Sequence, residues 1–215
     1  MANNLLTDLQ REKEDNNDDA FYYSQPRFVH HLDNSFRNKL TNLYRLRIPR
    51  DSIVLDLMSS WVSHLPEEIK YKKVIGHGLN IQELEQNKSL DSFWIQNLNK
   101  DQKLPIEDNS IDVCLIVASW QYLQYPEEIA MELKRIVREN GQLIISFSNR
   151  AFWSKTPRIW KDGSDDDHIR YIENVLFCQG WSKPEVIADR SNKSGDILSF
   201  LGSNSDPFFS VIARK

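Results

Sequence analysis

Glycine is scarce in this chain. Only seven of 215 residues are glycine, and none precedes Gly76. The G-x-G-x-x-G fingerprint of a nicotinamide-binding loop is therefore missing. Cysteine is limited to Cys114 and Cys178, with no C-x-x-C pair. That argues against a zinc knuckle or a redox couple. No run approaches the ~18 apolar residues of a membrane span, and the polar, acidic N-terminus is unlike a signal peptide. These absences point to a soluble protein in a reducing compartment, most simply the cytoplasm. No section has a large basic excess either. The net charge is -4, with 27 basic and 31 acidic residues. Six acids and two bases fall in residues 1–20, so the rest of the chain is balanced. A phosphate backbone is not the expected partner.

What is present is a folded globule's composition, 40% hydrophobic and 11% aromatic. Residues 1–20 are Asn/Asp-rich and read as a disordered tail. Residues 21–215 read as one domain, opened by a helical lid over 21–48. Val29, Leu32, Phe36, Leu40, Leu43 and Leu46 give one apolar face over 27–47, and Pro49 ends that helix.

Short β-branched runs then alternate with helical patterns. Strands are expected at 52–57, 73–77, 92–97, 110–119 and 142–148. Helices are expected at 65–71, 81–86, 126–138 and 165–177. Pro126, Glu127 and Glu128 suit a helix start, and Asn140-Gly141 a left-handed stop. Cys114 lies in an apolar run and reads as buried. Two last strands, 184–190 and 207–213, are joined by a polar loop at 191–206 without a helix. The expected fold is a doubly wound α/β domain. Its sheet has seven strands, mostly parallel, with an antiparallel final strand.

Residues 104–149 carry a family likeness. Leu104-Pro105, Ser110-Ile111-Asp112, Arg135-Ile136-Val137 and Gly141 stand in the order found in class I S-adenosylmethionine-dependent methyltransferases of the type 11 kind. The chain resembles that family. The resemblance implies S-adenosylmethionine as cofactor and a small organic acceptor as partner. The cofactor half departs from the pattern. The family follows its first strand with D/E-x-G-x-G-x-G, whereas here Asp56 leads into Leu57-Met58-Ser59-Ser60-Trp61. Gly78 stands where an acid closes the second strand, and Gln96-Asn97-Leu98-Asn99 where an acid follows the third.

By that resemblance, cofactor contacts are expected from Asp56, Met58, Ser59 and Ser60 on the first loop. Gly76, His77, Gly78 and Asn80 follow on the second, Asn97 and Leu98 on the third, and Ser119 and Trp120 on the fourth. Tyr23, Tyr122 and Arg150 are candidate substrate contacts, and His31 a candidate general base. Tyr22, Trp61, Phe152 and Trp153 join the aromatics expected at the sheet's carboxyl edge. His30, His31, His64 and His77 lack the short-range pairing of a metal site, and no metal is expected. Asp165–Asp167 read as a helix start, and His168 as structural. Two functions stay open: methyl transfer to a small acceptor, or a non-catalytic relative that binds a nucleoside-like ligand or a protein partner.

Overall fold

A computed structural model describes residues 2–190 and 205–215. The elements run α1 (Asp8–Arg11), α2 (Asp19–Tyr22), α3 (Asn34–Arg47), β1 (Ile53–Leu57), β2 (Lys73–Gly78), α4 (Ile81–Gln86), β3 (Ser92–Ile95), β4 (Ile111–Val117), α5 (Pro126–Ile136), β5 (Val137–Phe147), α6 (Arg158–Lys161), α7 (Asp165–Cys178), β6 (Glu185–Asp189) and β7 (Phe208–Arg214). The sheet order is β3-β2-β1-β4-β5-β7-β6. The first five strands are parallel, and β7 lies antiparallel between β5 and β6. This is the doubly wound sheet expected from the alternation of strand and helix patterns. Most of the expected 191–206 loop lies outside the described residues.

Strand residues point alternately to two apolar layers. Val54, Val74, Val113, Leu115 and Ile144 meet α3 through Phe36, Leu40, Leu43 and Tyr44. Leu55, Cys114, Leu143 and Ile145 belong to the opposite layer, with Ile129 and Leu133 of α5 and Ile172 and Leu176 of α7. Strands buried on both faces read as continuous apolar runs, which is why β4 and β5 stand out in the sequence.

Three expectations are corrected. The helix expected over 27–47, α3, begins only at Asn34, because the Asp33 carboxylate accepts the Phe36 N–H at 2.8 Å and caps it there. Residues 24–33 run irregularly, with Val29 exposed. The helix expected at 65–71 is only a turn. Its backbone is drawn toward β1 instead: Asp51 N–H donates to Lys70 O at 3.0 Å, and Lys72 N–H to Ser52 O at 2.9 Å. The tail also departs from the disorder expected. Helix α1 lies within it and α2 begins there, and Arg11, Lys13 and Asp19 are buried. Composition undervalued these charges, which find partners in the body of the domain. Residues 2–33 form an arm, tied down by Asp15 N–H to Ser154 O and Arg158 N–H to Glu12 O, both 2.9 Å.

Candidate functional site

The carboxyl ends of β1–β4 border a cavity of about 590 Å³. It opens beside β1, whose neighbours β2 and β4 lead away in opposite directions. Such a switch point is where open α/β sheets take ligands. The volume lies in the range of small-molecule sites. The arm and the 149–153 segment supply the outer wall.

The turn after β1 has no glycine, and three features hold it. Met58 takes a left-handed conformation at φ 57°, a strained state for a side chain with a Cβ. Its N–H donates to His77 Nδ1 at 3.1 Å, and Ser59 N–H donates to His77 O at 2.6 Å. His77 Nε2 faces Gln96 O at 2.9 Å. Since Nδ1 accepts, Nε2 carries the proton, and the ring is one neutral tautomer. Burial lowers its pKa to about 4, which fits that state.

Gly78 makes this turn feasible. A Cβ there would lie 2.7 Å from the Ser59 carbonyl oxygen. The close approach usually given by glycines in the first loop is obtained here by a glycine on the second strand. Gly78 borders the cavity. Gly76, expected to do so as well, does not; its α-carbon faces the Leu90 side chain.

Asp56 borders the cavity and is 3% exposed. Its carboxyl accepts from Ser59 Oγ at 2.6 Å, and no cation pairs with it among the described residues. Burial raises its pKa to about 6 against the pull of Ser59 and Ser63. Ser60 also faces the cavity, and its hydroxyl donates to Glu83 at 2.6 Å.

The asparagines expected as ligand contacts line the cavity, yet their amides serve the protein. Asn80 caps α4 through Glu83 N–H and donates to Tyr23 O at 2.9 Å and Ser24 O at 3.1 Å. Asn97 donates to Asp18 at 2.9 Å. Asn99 donates to Asp19 at 2.8 Å and Tyr122 O at 2.9 Å. The amides after β3 therefore hold the acids of α2. Asp19 itself faces the cavity beside Leu98, with Lys13 at 3.1 Å and Lys155 at 3.4 Å.

Ser119 and Tyr122 border the cavity as expected, but Trp120 points into the core and is fully buried. Tyr23, Tyr122 and Phe152 pack edge and face around one side. The Arg27 guanidinium lies over Tyr22, Tyr23 and Phe152 at 4.7–5.4 Å. Arg150 reaches the cavity, but its guanidinium is paired with the buried Asp206. His31 also faces in, and burial with Arg27 nearby lowers its pKa. Trp61 stays at the wall, against His30 at 4.7 Å, with Nε1–H donating to Val29 O at 3.3 Å. No cluster of three or more His, Cys, Asp or Glu that could hold a metal occurs among the described residues. No described helix is long and apolar enough to cross a membrane.

Asp19, Arg27, Arg37 and Glu83 line the cavity without having been singled out in the sequence. Glu83 carried a signal: Asn80 and Glu83 have the spacing of a helix cap and its third residue. The arm residues had none, because a charge-rich stretch does not reveal what it will dock against.

Residues 63–145 match the model of a family described as a methyltransferase domain. The match starts just past the glycine-free turn. Solved structures agree along nearly the whole chain. A S-adenosylmethionine-dependent methyltransferase of Aquifex aeolicus is 17% identical, with a TM-score of 0.57, over 91% of this chain and 96% of that one. One from Thermotoga maritima is 15% identical, with a TM-score of 0.59, over 84% and 90%. The chain has the class I methyltransferase fold. The methyltransferase resemblance read at 104–149 thus holds for the matched segment and for the fold. The same fold is seen in the [4+2]-cyclase SpnF, 13% identical with a TM-score of 0.58 over 83% of this chain and 81% of that one. No curated protein matches the chain in sequence.

Proposed function

We propose that the chain is a S-adenosylmethionine-dependent methyltransferase acting on a small organic acceptor. The observation that carries this reading is Asp56. It is a buried carboxyl at the switch point, faces a cavity of nucleoside size, and has no cation beside it among the described residues. A ligand ammonium there would supply the missing charge, and its arrival would favour the ionised carboxylate.

The residues present fit the cofactor in a particular way. Asp56 would hold its amino group, with Met58, Ser59 and Ser60 against the same end. Asp19 and the backbone at Asn97 and Leu98 would face the base. Asp19, an arm acid, would then serve where the family uses an acid after the third strand. S-adenosylmethionine supplies an activated methyl when bound. Transfer is an in-line displacement, so the chain's contribution is alignment and exclusion of water. Among the cavity's histidines, His31 would be the general base; its ring makes no hydrogen bond among the described residues and could take the acceptor's proton. Tyr23 and Tyr122 would flank the acceptor.

Calorimetric titration with S-adenosylmethionine and S-adenosylhomocysteine tests the reading. Saturable binding that falls at least tenfold in Asp56→Ala supports it. No heat at millimolar ligand removes it. A second reading, a binding protein or an enzyme of other chemistry on this fold, is favoured by the committed amides of Asn80, Asn97 and Asn99. It predicts nucleoside binding without methyl transfer to any acceptor.

A further inference from the structure

The cavity's other charged end lies at α3 and the segment after β1. Arg37 lines it from the second turn of α3. Its Nη2 donates to Asn34 Oδ1 on the same helix. Its Nε is buried without a hydrogen-bond partner. No carboxylate pairs with it among the described residues. The cavity's acids are engaged elsewhere: Asp19 by Lys13 and Lys155, Glu83 by Ser60 and the Arg27 N–H, Asp56 by Ser59. Leaving a guanidinium N–H buried and unbonded is costly, so such a group in a cavity marks where a ligand acceptor belongs.

Two histidines stand beside it. His64 is held at φ 56°, with its carbonyl accepting from Thr41 Oγ1 of α3 at 2.9 Å. The His30 ring lies 6.3 Å from that of His64 and packs, tilted, against Trp61. Burial and the charge of Arg37 lower the pKa of both. One guanidinium and two imidazoles with disfavoured charged forms therefore line a corner that holds no anion among the described residues.

We infer that the Arg37, His30 and His64 corner is a seat for an oxyanion, a carboxylate or phosphate group, carried by the acceptor. This rests on the transferase reading for the word acceptor, but the seat itself does not. The planar guanidinium would take the oxyanion through its free donors, and the imidazoles would add donors around it. Arg150 and Arg27 do not offer an equivalent seat. Arg150 is neutralised by Asp206, and the face of Arg27 is covered by aromatic rings.

Three titrations of the full chain test the seat: inorganic phosphate, S-adenosylhomocysteine, and methylthioadenosine, which lacks the carboxylate. The wild type is expected to bind phosphate in the millimolar range. Arg37→Gln is expected to weaken phosphate at least tenfold and leave both nucleosides within about twofold. If Arg37→Gln melts early, His30→Ala carries the test, since that ring is at the surface; a threefold or greater loss of phosphate is expected. Absence of phosphate binding to the wild type overturns the seat, as does equal binding by the variants. A tenfold loss of S-adenosylhomocysteine with methylthioadenosine unchanged also overturns it, because the anion would then be the cofactor's own. Failure of both nucleosides to bind wild type removes the transferase reading, while the phosphate titration still decides the seat.

Discussion

The Arg11 guanidinium meets the Glu127 carboxylate through two parallel hydrogen bonds, Nη1 to Oε2 at 2.9 Å and Nη2 to Oε1 at 2.8 Å. Glu127 is completely buried, and its Oε1 also accepts from Leu5 and Leu6 N–H at 3.0 and 2.9 Å. This pair joins the arm to the first turn of α5.

Removing one partner leaves the other buried and unpaired. Glu127→Ala is therefore expected to cost about 3–5 kcal/mol and to release the arm. Chemical denaturation and limited proteolysis check it. A variant as stable and protease-resistant as the wild type would refute the docking role of this pair.

Gly78 and Ser59 yield a second expectation. Gly78→Ala places a Cβ against the Ser59 carbonyl. The loop must shift, at a cost of about 1–3 kcal/mol. Gly78→Asp, which restores the family's acid, is expected to weaken nucleoside binding rather than strengthen it. Thermal melting and calorimetry read the two effects, and tighter binding by Gly78→Asp would contradict the fit described.

Asp56 trades stability for a ligand charge. Its pKa of about 6 against 3.8 means the folded state penalises the ionised form. The favourable contribution is present below pH 4 and is lost as pH rises from 4 to 6, on the order of 3 kcal/mol. Asp56→Asn is expected to recover about 1–3 kcal/mol at pH 7 and almost none at pH 4. Urea unfolding at both pH values checks this. In the wild type, affinity for S-adenosylhomocysteine should rise as pH rises through 6, where the carboxyl ionises. A flat profile from pH 5 to 7 would argue against Asp56 as the ammonium's partner.

His77 has the opposite sign. Burial holds it at about 4 against 6.5. The unfolded chain takes the proton first, so stability present above pH 6.5 is lost as pH falls toward 4. The size is again on the order of 3 kcal/mol. Asp56 and His77 nearly cancel between pH 4 and 6. His64, also lowered to about 4, tips the balance. Net loss of stability from pH 7 to 4.5 is expected, steeper in Asp56→Asn. Denaturant midpoints across that range decide it; a gain on acidification would be the contrary result.

Much of the architecture was legible because buried parallel strands leave apolar runs and helix starts leave caps. Helix α4 and the start of α5 fall where the residues place them. The segment 65–71 misled because Pro66 suits a helix start, and pairing with Asp51 and Ser52 is a long-range matter. Most residues chosen around the cavity do border it, since strand order alone brings loop ends together. Gly76 and Trp120 do not: Gly76 sits two residues before the end of β2, under the Leu90 side chain, and the short turn after β4 directs Trp120 into the core. What the amides of Asn80, Asn97 and Asn99 bind could not be read locally. Their partners are distant in sequence, and two of them, Asp18 and Asp19, lie in a segment whose composition resembles disorder.

The arm's Asp19, Tyr23, Arg27 and His31 are part of the cavity wall. A preparation trimmed at the amino end, or one carrying a bulky purification handle beside Asn3 and Gln179, would expose ligands to an incomplete binding surface. Compound screens and activity assays on such material would report on a different receptor from the one described.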